Sequence, residues 1–165
     1  MNQNTQKPVR TVCFTGHRQI NASHVSMLGK ALEDVICRLM ERGAAVFRTG
    51  GAKGFDTVAA LMVLELRETH PEIRLELILP FRGQQEHWGD EDIYVYDYVL
   101  ARADRVEYLY ERYVDGCMLA RNRRLVEGSD VCVAYCTRSV GGTAYTCRQA
   151  QQAGVELINV MEEIP

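Results

Sequence analysis

Short β-rich runs alternate with longer helical stretches along this chain, and no other feature limits its fold as tightly. The β-rich runs are Val12–Phe14, Ala44–Phe47, Leu75–Leu79, Val106–Tyr110, Val131–Cys136 and Val155–Val160. Between them lie Ser23–Arg42, Phe55–Thr69, about Asp90–Ala103, Asp115–Glu127 and Thr143–Ala153. In the first of these, Val25, Leu28, Leu32, Val35, Ile36 and Leu39 recur at steps of three and four, one apolar helix face, and Arg42-Gly43 is a stop signal. Strand–helix–strand units need right-handed crossovers, which place helices on both faces of a mostly parallel sheet. The expected fold is α/β: a doubly wound sheet of about six strands. Ligands in such sheets bind beyond the carboxyl ends of the strands, so the strand-to-helix turns are where chemistry is expected.

Composition narrows the class. The chain has 165 residues, 47% apolar and 25% charged, which fits one globular domain over residues 1–165 with a core of about 10–160. A chain of this size removes roughly two thirds of its unfolded surface from water and needs no metal or disulfide staples. The longest strictly apolar run, Val58–Leu64, is far short of the ~20 residues that span a bilayer, and the start MNQNTQKPVR has no signal-peptide apolar region. A cytoplasmic protein without membrane contact is expected. Six cysteines show no CxxC or Cys/His ligand spacing, so no metal site is expected, and most read as small buried hydrophobes. Cys132 and Cys136, ~13 Å apart along a strand, cannot form a disulfide. Cys136 and Cys147, flanking a glycine turn, are the exceptions to that dismissal.

Three strand-to-helix turns carry glycines. The first is Thr15-Gly16-His17-Arg18, where a cation follows the glycine at once, before a helix that Asn21 or Ser23 could cap. The second, Thr49-Gly50-Gly51-Ala52-Lys53-Gly54-Phe55-Asp56, has the form of a phosphate cradle: backbone N–H groups can turn to an anion at a helix start. It contains one of only three lysines and is neither GxGxxG nor a Walker loop. Asp56 suits the helix dipole and could also accept from ribose hydroxyls. The third, Ser139-Val140-Gly141-Gly142-Thr143, offers Thr143 as an N-cap. Two further stretches bear on a pocket. Pro80–Trp88 mixes Arg82, Glu86, His87 and the single Trp88, a set that could stack and hydrogen-bond a base or simply cover the core edge. Asn122 interrupts the apolar stripe Met118, Leu119, Leu125 and Val126, so it either caps a neighbouring loop or faces a ligand with Arg121, while Arg123 and Arg124 lie on the solvated side. The tyrosines from Tyr94 to Tyr113 read as core and helix packing.

Together, Gly16-His17-Arg18, Thr49–Asp56 and Gly141-Gly142-Thr143, with Phe81, Glu86, Trp88, Arg121-Asn122 and Ala144–Thr146, resemble the SLOG superfamily of Rossmann-like domains and most of all its YpsA-like proteins. The likeness runs from about Arg10 to Val160. The glycine motifs also resemble the core of the DNA-processing protein A family, which loads recombinase on single-stranded DNA, and more distantly the LOG phosphoribohydrolases. The resemblance implies a nucleotide-derived ligand at the sheet edge, with no required cofactor, but no particular reaction.

The expected function is therefore a nucleotide-derivative binding module. Its phosphate would lie on Gly50, Gly51, Lys53 and Gly54, a second phosphate or ribose on Gly142 and Thr143, with Arg18 closing the site. An N-glycosidic hydrolase using Asp56 or Glu86 is the enzyme alternative. The LOG signature resembles PGGxGTxxE, and aligning it on Gly142-Thr143 puts Thr146 where the glutamate should stand, which argues against that family's activity. A single-stranded DNA or protein-partner adaptor is the third class, and a homo-oligomer is compatible with all three. DNA binding should be weak at most, because the net charge is -3 and the chain ends soon after the sixth strand.

Overall fold

The computed structural model describes residues 6–165; the polar start at residues 1–5 lies outside them. The elements run β1 Thr11–Gly16, α1 Val25–Glu41, β2 Val46–Thr49, α2 Phe55–Thr69, β3 Arg74–Phe81, α3 Asp90–Arg102, β4 Arg105–Tyr110, α4 Cys117–Val126, β5 Val131–Tyr135, α5 Gly142–Gln152 and β6 Glu156–Asn159. A 3-10 turn, Val160–Glu163, follows. All six strands are parallel, in the order β4-β3-β2-β1-β5-β6. The chain winds outward from β1 to β4 and then returns to lay β5 on the other side of β1, so the order reverses between β1 and β5.

Alternation along the strands makes the two layers. Val12, Phe14, Phe47, Leu75, Leu77, Leu79, Val131, Val133 and Tyr135 project to one face, where they pack with the apolar faces of α1, α2 and α3. Cys13, Ile78 and Cys132 project to the other and meet Leu125 and Val126 of α4 and Ala150 of α5. A central strand buried on both faces reads as continuously apolar, as β5 does.

Several local expectations are corrected. α1 begins at Val25 with His24 at its N-cap, and neither Asn21 nor Ser23 caps it. Instead the His24 ring bonds the Tyr135 hydroxyl at 2.7 Å, and that hydroxyl also accepts from the Asn21 N–H. Thr143 is not the cap of α5; Gly141 is, and Thr143 lies in the first turn. β6 is shorter than expected because Asn159 turns inward: its amide accepts from Cys136 N–H and donates to Cys136 O, and its oxygen caps the 3-10 turn. Of the tyrosines expected in packing, Tyr96 is buried, but Tyr94 is 73% exposed and Tyr113 and Tyr110 are exposed as well. Arg124 is not simply solvated; it pairs with Glu107 at 3.0 Å.

Candidate functional site

The reversal of strand order leaves a cavity of about 570 Å³ beyond the carboxyl ends of β1 and β5. Such a crevice at a topological switch point is where open α/β sheets hold ligands. Thr15, Gly16, His17 and Arg18 come from β1 and its turn, Asp56 from α2, Met118, Arg121 and Asn122 from α4, and Arg138 and Gly141–Thr143 from the turn into α5.

Glycine in the first two turns serves the packing of one turn on the other. A side chain at Gly16 would collide with Phe55, and one at Gly54, where φ is +78°, would collide with the Arg18 carbonyl. The His17 carbonyl accepts the Phe55 N–H at 3.1 Å, which locks the two turns together. The second turn is not an open cradle. Gly51 N–H donates to Thr49 Oγ1 and Ala52 N–H to Asp56 Oδ2, while added carbons at Gly50 and Gly51 would strike Arg121 and Leu79. Gly50, Gly51, Lys53 and Gly54 therefore stand behind the cavity wall rather than on its surface, and the Lys53 ammonium lies 5.6 Å from the Trp88 ring centre.

Two buried groups of opposite charge face the cavity. Asp56 is 5% exposed, and its carboxyl is pushed up to about 6, first by burial, against the opposing pull of Arg121, the Ala52 N–H and Arg18. Arg121 is 6% exposed; its Nε donates to Asn122 Oδ1 at 2.8 Å and its Nη1 to the Gly50 carbonyl. Its Nη2 has no hydrogen-bond partner among the described residues. Burial lowers the Arg121 pKa, but a guanidinium starts so high that it remains a cation.

The anion-attracting element is the start of α5. Gly141 has φ +99° and makes no side-chain cap, and the N–H groups of Gly142, Thr143 and Ala144 have no partner among the described residues. Unpaired N–H groups and the helix dipole favour negative charge there. Asn122 lies beside them, 3.7 Å from where a side chain at Gly142 would begin. Thr146 Oγ1 turns back to the Gly142 carbonyl at 2.9 Å, so that position supplies neither a carboxylate nor a hydroxyl to the cavity.

His17 clasps the first turn to the last: its Nε2 accepts the Thr137 N–H at 2.9 Å. An accepting Nε2 means a neutral ring with its proton on Nδ1. Burial and then the nearby Arg138 lower its pKa in support of that state.

Arg82, Glu86 and Trp88 are not brought to this cavity. They follow β3, which is separated from β1 by β2, and Arg82 and Glu86 line a different cleft with Glu111 and Tyr113. Arg82 pairs with Glu111 at 2.9 Å and stacks on Tyr108. Of the two carboxylates considered for catalysis, only Asp56 reaches the cavity. Arg138, by contrast, lines it without having been singled out; the signal was an arginine in a strand-to-helix turn, as at Arg18. Met118, Leu125 and Val140 form its apolar wall. All six cysteines are free thiols, and burial pushes Cys147 up to about 12, while Cys136 donates to the Arg138 carbonyl. Among the described residues no cluster of three or more His, Cys, Asp or Glu could hold a metal, and no helix is long and apolar enough to cross a membrane.

A family model described as the YspA SLOG family (YpsA) matches residues 12–160. A UPF0398 protein of Halalkalibacterium halodurans is 31% identical over 135 residues, covering 80% of this chain and 71% of its own. The fold is similar to DNA processing protein A of Helicobacter pylori, described for its single-stranded DNA binding mode, with TM-score 0.66 and 20% identity over 94% of this chain and 71% of that one. It is also similar to DNA processing protein A of Streptococcus pneumoniae, with TM-score 0.64 and 18% identity over 90% of this chain and 49% of the other.

Proposed function

Since the chain belongs to the YpsA family of SLOG proteins, we propose that it binds a nucleotide-derived anion in the cavity between β1 and β5. One observation carries this reading: the buried Arg121 keeps an unpartnered Nη2 in the same cavity as the uncapped start of α5. With Arg121 only 6% exposed, much of the cost of its desolvation is already met by the fold, so a phosphate there gains charge-assisted bonds. Arg18 closes the mouth, Asn122 and Thr143 add polar contacts, and Met118 and Val140 supply an apolar surface for a base.

Titration calorimetry against nucleoside mono- and diphosphates tests it. Binding is expected in the micromolar range or tighter, and Arg18→Ala should weaken it about tenfold to a hundredfold, the worth of one charge-assisted contact at ~1.5–3 kcal/mol. No heat with any nucleotide, or an Arg18→Ala curve superimposed on wild type, overturns the reading.

A hydrolytic reading rests on Asp56, whose carboxyl, shifted to about 6, could exchange protons near neutrality. Chromatography of the titrated samples separates the two, since only hydrolysis releases free base. The single-stranded DNA binding described for the Helicobacter pylori neighbour supports a third reading, in which the same cationic cavity takes one nucleotide of a strand.

A further inference from the structure

The cavity does not end at the turn after β1. A second cleft of about 330 Å³ lies against it, and His17, Gln19 and Arg138 line both. Its remaining walls are Asn21, Ala22, Thr137 and Tyr135 with Ile20. The two spaces differ in chemistry. The larger has an apolar wall and the uncapped start of α5; the smaller is faced by the amides of Gln19 and Asn21 and the hydroxyl of Thr137, with the Tyr135 hydroxyl already held by His24 and the Asn21 N–H, and it holds no carboxylate. Hydroxyls and amides both donate and accept, as the hydroxyls of a sugar require, whereas a base needs a flat apolar or aromatic surface.

Charge at the junction points the same way. Arg18, Arg121 and Arg138 face the larger cavity against the single carboxylate of Asp56, a surplus of two positive charges when Asp56 is ionised. A diphosphate bridge carries two negative charges. Between the two spaces stands His17, held by the Thr137 N–H at Nε2, and its Nδ1–H has no partner among the described residues. That donor belongs to a side chain 7% exposed that lines both spaces, where a bridging oxygen would pass.

We propose that the ligand is an extended nucleotide, a nucleoside diphosphate whose terminal phosphate carries a sugar or similar polyol, with the nucleoside in the larger cavity and the polyol in the side cleft. The proposal rests on the nucleotide-binding reading above and adds the second subsite, with Arg138 and His17 at the bridge. A mononucleotide would leave the side cleft to water.

The experiment uses paired probes: AMP with ADP-glucose, UMP with UDP-glucose and GMP with GDP-mannose, each titrated into wild-type protein and into Ala22→Trp. Ala22 is exposed and lines the side cleft alone, so an indole there fills that cleft without touching the larger cavity. For at least one base the sugar diphosphate should bind tenfold or more tightly than its monophosphate, and Ala22→Trp should remove that gain while leaving the monophosphate curve unchanged. Asn21→Ala, a milder change in the same wall, should remove part of it. If monophosphates bind and no sugar diphosphate gains, or if Ala22→Trp weakens both alike, the second subsite falls and the cavity reading stands. If none of the six nucleotides binds, both fall together.

Discussion

Asp56 carries a cost that the fold accepts. Its carboxyl titrates near 6 in the native chain against 3.8 in the unfolded one, because burial disfavours the charge. Between those values the native state holds a proton that the unfolded state has released, so stability falls as pH rises through this window, by at most roughly 3 kcal/mol. Asp130 and Glu156 act with the opposite sign: hydrogen bonds from the Thr11 N–H and from Arg42 hold their carboxyls low, and that stability is lost only as pH falls through their depressed values. The Asp56 contribution is isolated by a difference. Urea midpoints for Asp56→Asn and wild type, followed from pH 4 to 7, should diverge in favour of the variant, with most of the divergence between 4 and 6; parallel curves would show that Asp56 does not titrate there. Affinity for an anion that does not itself titrate in this window, such as a sugar-linked diphosphate, should strengthen as pH falls through 6, because the proton removes the Asp56 charge from the cavity.

At the scale of elements, the site depends on two turns being held in register by few bonds. Among the described residues the His17–Thr137 clasp is the only side-chain hydrogen bond from the turn after β1 to the turn into α5, and it joins positions far apart in sequence. Replacing the ring with Ala removes the acceptor and leaves the Thr137 N–H without its partner. In His17→Ala, amide exchange should therefore speed up at 137–141 while the amides of β1 and β5 keep their protection; unchanged exchange across 137–141 would show that packing alone holds the turn. Much of this was legible in the sequence. The 3.6-residue period in α1, the glycines after each apolar run and Asn122 on an apolar stripe located the elements and most of the cavity's wall. Strand order was not legible, because right-handed crossovers allow β3 to lie either beside β1 or beyond β2, and that one choice removed Arg82, Glu86 and Trp88 from the cavity. The packing of the second turn was not legible for a related reason. Gly50 and Gly51 look like an anion cradle until Arg121 and Leu79, both distant in sequence, are seen to occupy the space their side chains would need.

For the molecule as a whole, the cavity sets a surplus of about two positive charges in a concave site of a protein whose net charge is -3. A strand of DNA needs a continuous basic track, and a cavity that neutralises about two phosphates gives a shallow salt dependence, near -1.4 on logarithmic axes. Fluorescence anisotropy with a labelled oligothymidine should accordingly give a dissociation constant weaker than about 1 µM at physiological salt. Submicromolar binding with a steep salt slope would mean that a basic track exists elsewhere on the surface.

The strand order also sets a timetable for synthesis. β1 leaves the ribosome before the other strands of the sheet and lies in its middle, yet β5, its neighbour on one side, follows four strands later. At about 5–20 residues per second, the stretch from Gly16 to Val131 takes on the order of 6–23 seconds to emerge. Throughout that interval one edge of β1 offers bare N–H and C=O groups to any passing strand. The nascent chain is thus open to mispairing after α1 to α4 have been made, and the cavity is completed only when β5 docks and the turn into α5 follows it.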